Sequence, residues 1–232
     1  MSILKSLFGT CTGFGGTGEN PQLLILGLEG AGKTTLLYRL KLGNQWKSNE
    51  MKKAMKEMRE PNKDGIVEDP GYHYEEFNWL HSCGIWEVPG TPAMRQIWSC
   101  FYRTIKIHGV IFVVNGFTTP PDEEQVYEAK KHLHHLMNED ELRNACFAIV
   151  VNTPDSKNRD GAVKEDKSKV YEDNPYLYKL SLNELHPSCQ WRTKIFYMCV
   201  SELKGESDHE WGKVKDFIKQ VLNNNKGFGM KL

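Results

Sequence analysis

The sequence predicts an α/β fold in which a mostly parallel, six-stranded sheet is flanked by helices on both faces. Short apolar runs alternate along the chain with segments whose apolar residues recur every three or four positions, and this alternation favours a doubly wound sheet. Three of the runs are rich in β-branched residues, which is typical of strands in the middle of a parallel sheet. The chain of 232 residues is long enough for one such domain with additional segments.

The predicted elements follow one another in a simple order. An apolar run between turn residues gives a first strand at 21–27, and leucines at helical spacing that end at Gly43 give a helix at 32–43. Residues 71–80 and 81–88 are aromatic-rich and partly alternating, which favours an antiparallel pair. The remaining strands are predicted at 109–115, 144–152 and 194–200, and the remaining helices at 121–138 and 209–224.

Two segments interrupt this pattern. We expect an amphipathic arm at 1–20, a domain at 21–225 and a tail at 226–232, with insertions at about 44–66 and at 156–175. The second insertion is polar and charged, as in a solvated loop. The first is helix-forming and rich in methionine, and one of its faces carries Met51, Met55 and Met58. That face either packs on the parent domain or docks a partner, since methionine adapts to irregular surfaces.

Composition excludes several classes of protein. Thirty basic residues balance thirty acidic ones, so nucleic acid is not an expected partner. No apolar run approaches the roughly 20 residues of a membrane span, and the first residues lack the apolar core of a secretory signal. The six cysteines are scattered without a C-x-x-C pair, which favours buried thiols in a reducing compartment. The sequence therefore predicts a cytoplasmic protein or one from another reducing compartment, with an organelle interior left open.

A phosphate-binding loop is the strongest signal in the chain. The segment "GLEGAGKTT", residues 27–35, fits G-x-x-x-x-G-K-[ST] and lies between a predicted strand and a predicted helix. Backbone N–H groups in such a loop surround a diphosphate, the lysine reaches the β- and γ-phosphates, and the next hydroxyl binds Mg²⁺. The candidate phosphate-binding residues are Glu29, Gly30, Ala31, Gly32, Lys33, Thr34 and Thr35.

Three longer stretches match one known pattern. "LILGLEGAGKTTLLYRLKLG", "WEVPGTPAMRQIWSCFYRTIKIHGVIFVVN" and "LSLNELHPSCQWRTKIFYMCVS" resemble the corresponding parts of the Arf-like branch of the small GTPases, which belongs to the Ras superfamily. The resemblance covers roughly 3–43, 67–155 and 176–224. It implies a P-loop G domain that binds GTP or GDP together with Mg²⁺.

The sequence departs from this family in the second switch. Glu87 stands where the family has an aspartate that reaches Mg²⁺ through water, and Thr91 stands where it has the glutamine that orients the attacking water. Gly90 is retained, and its N–H is expected to face a γ-phosphate. Pro89 and Pro92 lock φ on either side of it, so we expect this segment to be stiffer than a working switch.

The first switch also departs from the family pattern. With Gly71 aligned to the motif glycine, Asp69 takes the place of the threonine that binds Mg²⁺. A carboxylate there either ligates the metal directly or repels a γ-phosphate and favours the diphosphate. The candidate metal ligands are thus Thr34, Glu87 and Asp69.

Base recognition is half retained. The family's N-K-x-D is "NTPD" here, in which Asn152 is expected to brace the loops and Asp155 to accept two hydrogen bonds from guanine. Thr153 replaces the lysine that packs along the base. A third contact is expected from the turn "CVSE", which contains Val200 and Ser201, through the Val200 backbone N–H.

The amino terminus bears on membranes and partners. Ser2 replaces the glycine that is myristoylated in many Arf-like proteins, which excludes that modification there. A short unlipidated amphipathic arm holds a membrane weakly or not at all. Protein partners in a larger assembly are therefore expected.

These features favour a degenerate Arf-like protein that binds a guanine nucleotide, hydrolyses GTP very slowly or not at all, and serves as a nucleotide-stabilised interaction subunit. Two alternatives stay open at this point. One is a working GTPase switch whose hydrolysis needs a partner, and the other is an adenine-using P-loop kinase or ATPase.

Overall fold

A single sheet of six strands organises the computed structural model, which describes residues 20–45, 71–79, 82–117, 122–154 and 175–227. Its strands are β1 (Gln22–Leu26), β2 (His73–Phe77), β3 (Cys83–Glu87), β4 (Gly109–Asn115), β5 (Cys146–Asn152) and β6 (Thr193–Met198). They lie in the order β2-β3-β1-β4-β5-β6. The pairing is parallel throughout except between β2 and β3, which confirms the predicted mostly parallel, six-stranded sheet.

Helices cover both faces of this sheet. Those of the described residues are α1 (Lys33–Leu42), α2 (Pro92–Arg95), α3 (Trp98–Thr104), α4 (Glu123–Met137), α5 (Pro175–Lys179), α6 (Pro187–Gln190) and α7 (His209–Gly227). Short 3₁₀ turns occupy Gly43–Gln45, Asp140–Leu142, Leu182–Glu184 and Val200–Glu202. The sequence predicted the long helices but not α2, α3, α5 or α6, because one or two turns carry too few apolar positions to display a period.

Alternation along β1 divides the core in two. Leu23 and Ile25 pack with α1 and α7, whereas Leu24 and Leu26 pack with α3 and α4 on the other face. All four leucine and isoleucine side chains are fully buried, as expected for a parallel strand covered on both faces. This sandwich holds β1 rigidly in the centre of the sheet, so the loop that follows it starts from a fixed point.

Two of the cysteines are part of the core, as the sequence predicted for buried thiols. Cys83 and Cys146 are fully buried, and burial raises the pKa of each thiol to about 12. Both groups therefore stay protonated and packed as small apolar side chains. Cys100, Cys189 and Cys199 are half-buried and likewise free.

Several predicted segments lie outside the described residues. These are the amino-terminal arm up to residue 19, most of the methionine-rich insertion, the polar loop up to residue 174 and the last five residues. α7 continues to Gly227 and so includes the first two residues of the predicted tail. Within the part of the chain that is described, no helix combines the length and apolarity needed to cross a bilayer.

Candidate functional site

The loop between β1 and α1 curls at the carboxyl end of the sheet's central strand. Gly30 and Gly32 have φ of 75° and 99°, values that side-chain-bearing residues rarely adopt, so these glycines permit the turn. Lys33 begins α1, is only 5% exposed and donates from Nζ to the Leu28 carbonyl at 2.8 Å. This contact folds the lysine back over the loop, with its ammonium beside the backbone that surrounds a phosphate in this motif.

The remaining loop residues have distinct places. Glu29 and Gly30 are exposed at the tip, and Ala31 is buried behind it. Thr34 and Thr35 lie half-buried in the first turn of α1, where helix N–H groups point outward. The arrangement is therefore an anion-binding loop at a helix amino terminus.

Asn152 joins this loop to a second one. Its Nδ2 donates to the Ala31 carbonyl at 3.0 Å, and its Oδ1 accepts from the Val200 N–H at 3.1 Å. The side chain is 4% exposed, so both hydrogen bonds are shielded from water. The end of β5 thus fixes the distance between the phosphate loop and the turn at Val200–Glu202.

This geometry bears on the predicted recognition of guanine, which stays a prediction. The Val200 N–H was expected to face guanine, but it donates to Asn152 instead. Ser201, one residue further on, is exposed and its Oγ lies 3.1 Å from the Cys199 sulfur. Asp155, the other expected base contact, lies outside the described residues.

Gly90 presses the second-switch segment onto the phosphate loop. A Cβ at this position would lie 2.8 Å from the Glu29 nitrogen and closer still to Leu28 and Gly27 backbone atoms. Such overlaps involve backbone and cannot be relieved by a rotamer change. Only glycine fits this contact, so the segment after β3 and the loop after β1 form one packed unit.

Thr91 acts as the N-cap of α2. Its φ and ψ of −63° and 153° are extended, and its Oγ1 accepts from the Met94 N–H at 3.4 Å. Pro92 follows at the start of the helix, where its missing N–H and fixed φ are favourable. The pair Thr-Pro is a helix-start signal in the sequence, and it could have predicted this role.

Trp98 anchors the same segment from behind. Its Nε1 donates to the Pro89 carbonyl at 3.0 Å, and its ring, 3% exposed, lies edge-on to Phe112 and His132. Arg95 adds a contact of 3.9 Å to Glu128 on α4. The second-switch segment is therefore tied to the sheet and to α4 as well as to the phosphate loop.

Glu87 lies at the end of β3 but faces a histidine. It is 1% exposed, and its Oε2 lies 3.7 Å from His73 Nε2 on the neighbouring strand. A carboxylate that reaches a metal ion through water has to open toward that water. In this structure Glu87 faces His73, and the metal role that the resemblance implies for it stays a prediction. Thr34 keeps its expected place on α1, and Asp69 lies outside the described residues.

Together, the sheet order, the anion-binding loop and the Asn152 bridge define a P-loop GTPase fold. A sequence model of the ADP-ribosylation factor family matches residues 8–205. The chain belongs to that family, which confirms the resemblance seen in the sequence.

Comparison with solved structures agrees on the fold. The chain is similar to the Arl6 BBS3 small GTPase from Trypanosoma brucei, solved with a bound nucleotide analogue, GppNp. The match has a TM-score of 0.55 and 19% sequence identity, and it covers 88% of this chain and 99% of that one.

Proposed function

We propose that this Arf-family chain binds a guanine nucleotide and hydrolyses GTP very slowly or not at all. The observation that carries the proposal is the N-cap made by Thr91, the residue at the position of the family's water-orienting glutamine. Its hydroxyl is held by the Met94 N–H, and a threonine side chain is too short to reach an attacking water from a capped position.

Binding is supported by the loops that remain complete. Lys33 and the glycine turn make an anion-binding loop, and Asn152 holds it against the turn that contains Ser201. Asp155 is proposed as the guanine contact that favours this base over adenine. Mg²⁺ is proposed to meet the phosphates at Thr34, where it would neutralise their charge. Membership of the Arf family argues against the adenine-using alternative.

A bound nucleotide would in this case serve stability and assembly. A ligand at 1,000 times its dissociation constant stabilises the folded state by about 4 kcal/mol. The second-switch segment is pinned at Pro89, Gly90 and Thr91, so it offers partners a nearly constant surface. We propose a structural or interaction subunit of a larger protein assembly, with weak or no membrane contact.

The test measures first the amount of bound nucleotide and then the rate at which bound GTP is hydrolysed. Protein purified from cells is denatured, and released nucleotide is identified by chromatography; we expect about one guanine nucleotide per chain, by analogy with tight P-loop binding. Protein reloaded with GTP should keep it over many hours. Lys33→Ala should carry none. Rapid conversion to GDP by the isolated protein, or with added cell extract, would instead support a working switch.

Restoring the glutamine should not restore catalysis. We expect Thr91→Gln to leave GTP hydrolysis unchanged, because Pro89 and Pro92 still fix the backbone, and to lower the free energy of unfolding by about 1 kcal/mol through loss of the cap. Thr91→Ser, which keeps the capping oxygen, is the control and should match the unmodified protein. Single-turnover hydrolysis and urea unfolding measure the two effects. Fast hydrolysis by Thr91→Gln would mean that the backbone is not the obstacle.

A further inference from the structure

Three side chains from three elements form a line beside the nucleotide site. Tyr38 lies on α1, His73 begins β2 and Glu87 ends β3. The Tyr38 hydroxyl lies 3.1 Å from His73 Nδ1, and His73 Nε2 lies 3.7 Å from Glu87 Oε2. The rings of Tyr38 and His73 meet edge-on with their centroids 5.6 Å apart. His73 therefore has one neighbour at each ring nitrogen, the Tyr38 hydroxyl at Nδ1 and the Glu87 carboxylate at Nε2.

The register of the sheet explains the contact between His73 and Glu87. His73 and Glu87 are directly opposed across the antiparallel pair of β2 and β3, so their side chains leave the same face. Tyr38 approaches from the helix that carries the phosphate loop. The line thus joins α1, the helix that follows the phosphate loop, to β2, which follows the first switch, and to β3, which precedes the second.

The Tyr38 end of the line keeps its proton. Burial raises the pKa of the Tyr38 hydroxyl, and the negative charges of Glu75 and Glu87 raise it further, so the phenol stays a donor. The protonated phenol is in hydrogen-bond reach of His73 Nδ1, and the direction of that hydrogen bond depends on which ring nitrogen of His73 carries the proton. At 3.7 Å, the contact between His73 Nε2 and Glu87 Oε2 is longer than a hydrogen bond and acts through packing and electrostatics.

We propose that Glu87 is a positioning residue in a Tyr38–His73–Glu87 strap, and not the partner of a magnesium ion. The strap holds the end of β3, and with it Gly90, against the helix that carries the phosphate loop. Retention of nucleotide then depends on the strap and not on a link from Glu87 to the metal. This inference rests on the proposed guanine-nucleotide binding.

The test compares nucleotide release with and without magnesium. The full chain is loaded with a fluorescent GDP derivative, and release is followed after addition of excess GDP in Mg²⁺ or in EDTA. The ratio of the two rates is the readout, so each variant serves as its own reference. We expect Glu87→Gln to leave this ratio within about twofold of the unmodified protein, less than the effect of one charged hydrogen bond. Glu75→Gln, the same change two positions along β2 from His73 at a surface pair with Lys41, is the matched control.

A fall of the ratio toward unity in Glu87→Gln alone would overturn the inference and assign Glu87 to the metal. Absence of bound nucleotide in every condition would instead refute the proposed function.

The strap itself is tested by coupling. Tyr38→Phe should speed release by about 2- to 10-fold, the range of one neutral hydrogen bond, and equally in Mg²⁺ and in EDTA. The double variant Tyr38→Phe with Glu87→Gln should release no faster than the faster single variant, because both changes break the same line. Multiplication of the two effects would show that Tyr38 and Glu87 act separately and would overturn the strap.

Discussion

Replacement of Gly90 by alanine is expected to abolish stable nucleotide binding. The new methyl group would overlap backbone atoms of Gly27, Leu28 and Glu29, so the phosphate loop and the second-switch segment must move apart. Gly90 is absent from the glycines with positive φ, and the effect is therefore steric and not conformational. We expect the affinity for GDP to fall by at least about tenfold, equivalent to about 1.4 kcal/mol, and the free energy of unfolding to fall by about 1–3 kcal/mol.

Fluorescence titration with a labelled GDP and urea unfolding measure these two effects. Gly212→Ala is the matched control, because a Cβ there meets nothing within 4 Å and the residue lies inside α7. That substitution should be neutral or stabilise the protein by up to about 1 kcal/mol. Unchanged affinity in Gly90→Ala would mean that the two segments are already apart when nucleotide is bound.

Loss of the Asn152 side chain is expected to have the second large effect. Asn152→Ala leaves the Ala31 carbonyl and the Val200 N–H without the partner that each has now, in a site closed to water. Unsatisfied buried polar groups cost about 1–3 kcal/mol each, so we expect the free energy of unfolding to fall by about 2–4 kcal/mol. Nucleotide affinity should fall as well, because the phosphate loop and the turn at Val200–Glu202 lose their common brace.

Two comparison variants make this measurement specific. Asn115 lies in register with Asn152 on the adjacent strand, and its Oδ1 accepts from the nearby Phe117 N–H in an exposed, local contact, so Asn115→Ala should cost about 1 kcal/mol or less. Asn152→Asp keeps the oxygen that faces Val200 but sets a carboxylate against the Ala31 carbonyl. It should lie between the unmodified protein and Asn152→Ala in stability. Equal stability of all three asparagine variants would contradict the bracing role.

Much of the fold could be predicted from the sequence because the patterns that indicate it lie within short segments of the chain. β1, α1 and the loop between them were predicted closely, since an apolar run, a glycine-rich turn and a leucine-spaced helix adjoin in the sequence. The β-branched runs that became β4 and β5 were equally clear, because a strand buried on both faces needs apolar side chains at every position. Family membership followed from the same local motifs.

The candidate site could be predicted from the sequence only in part. The size of Thr91 predicted that it is unsuited to catalysis. Its role as the N-cap of α2 was seen only in the structure. The guanine contact predicted through the Val200 N–H stays a prediction, and only the structure shows that this N–H donates to the Asn152 side chain. No sequence signal marked Tyr38 or His73, since neither departs from an ordinary helix or strand position.

The sequence by itself determined the α/β class and the phosphate loop, and it placed Thr91 where the family has its glutamine, because each of these depends on residues that are close together in the chain. Only the tertiary structure decided what Glu87 and Gly90 contact. Glu87 meets His73 because β2 and β3 pair in one particular register, and Gly90 meets the phosphate loop because β3 lies beside β1. Contacts of this kind join residues about 14 and 60 positions apart, and they exist only after the sheet has assembled.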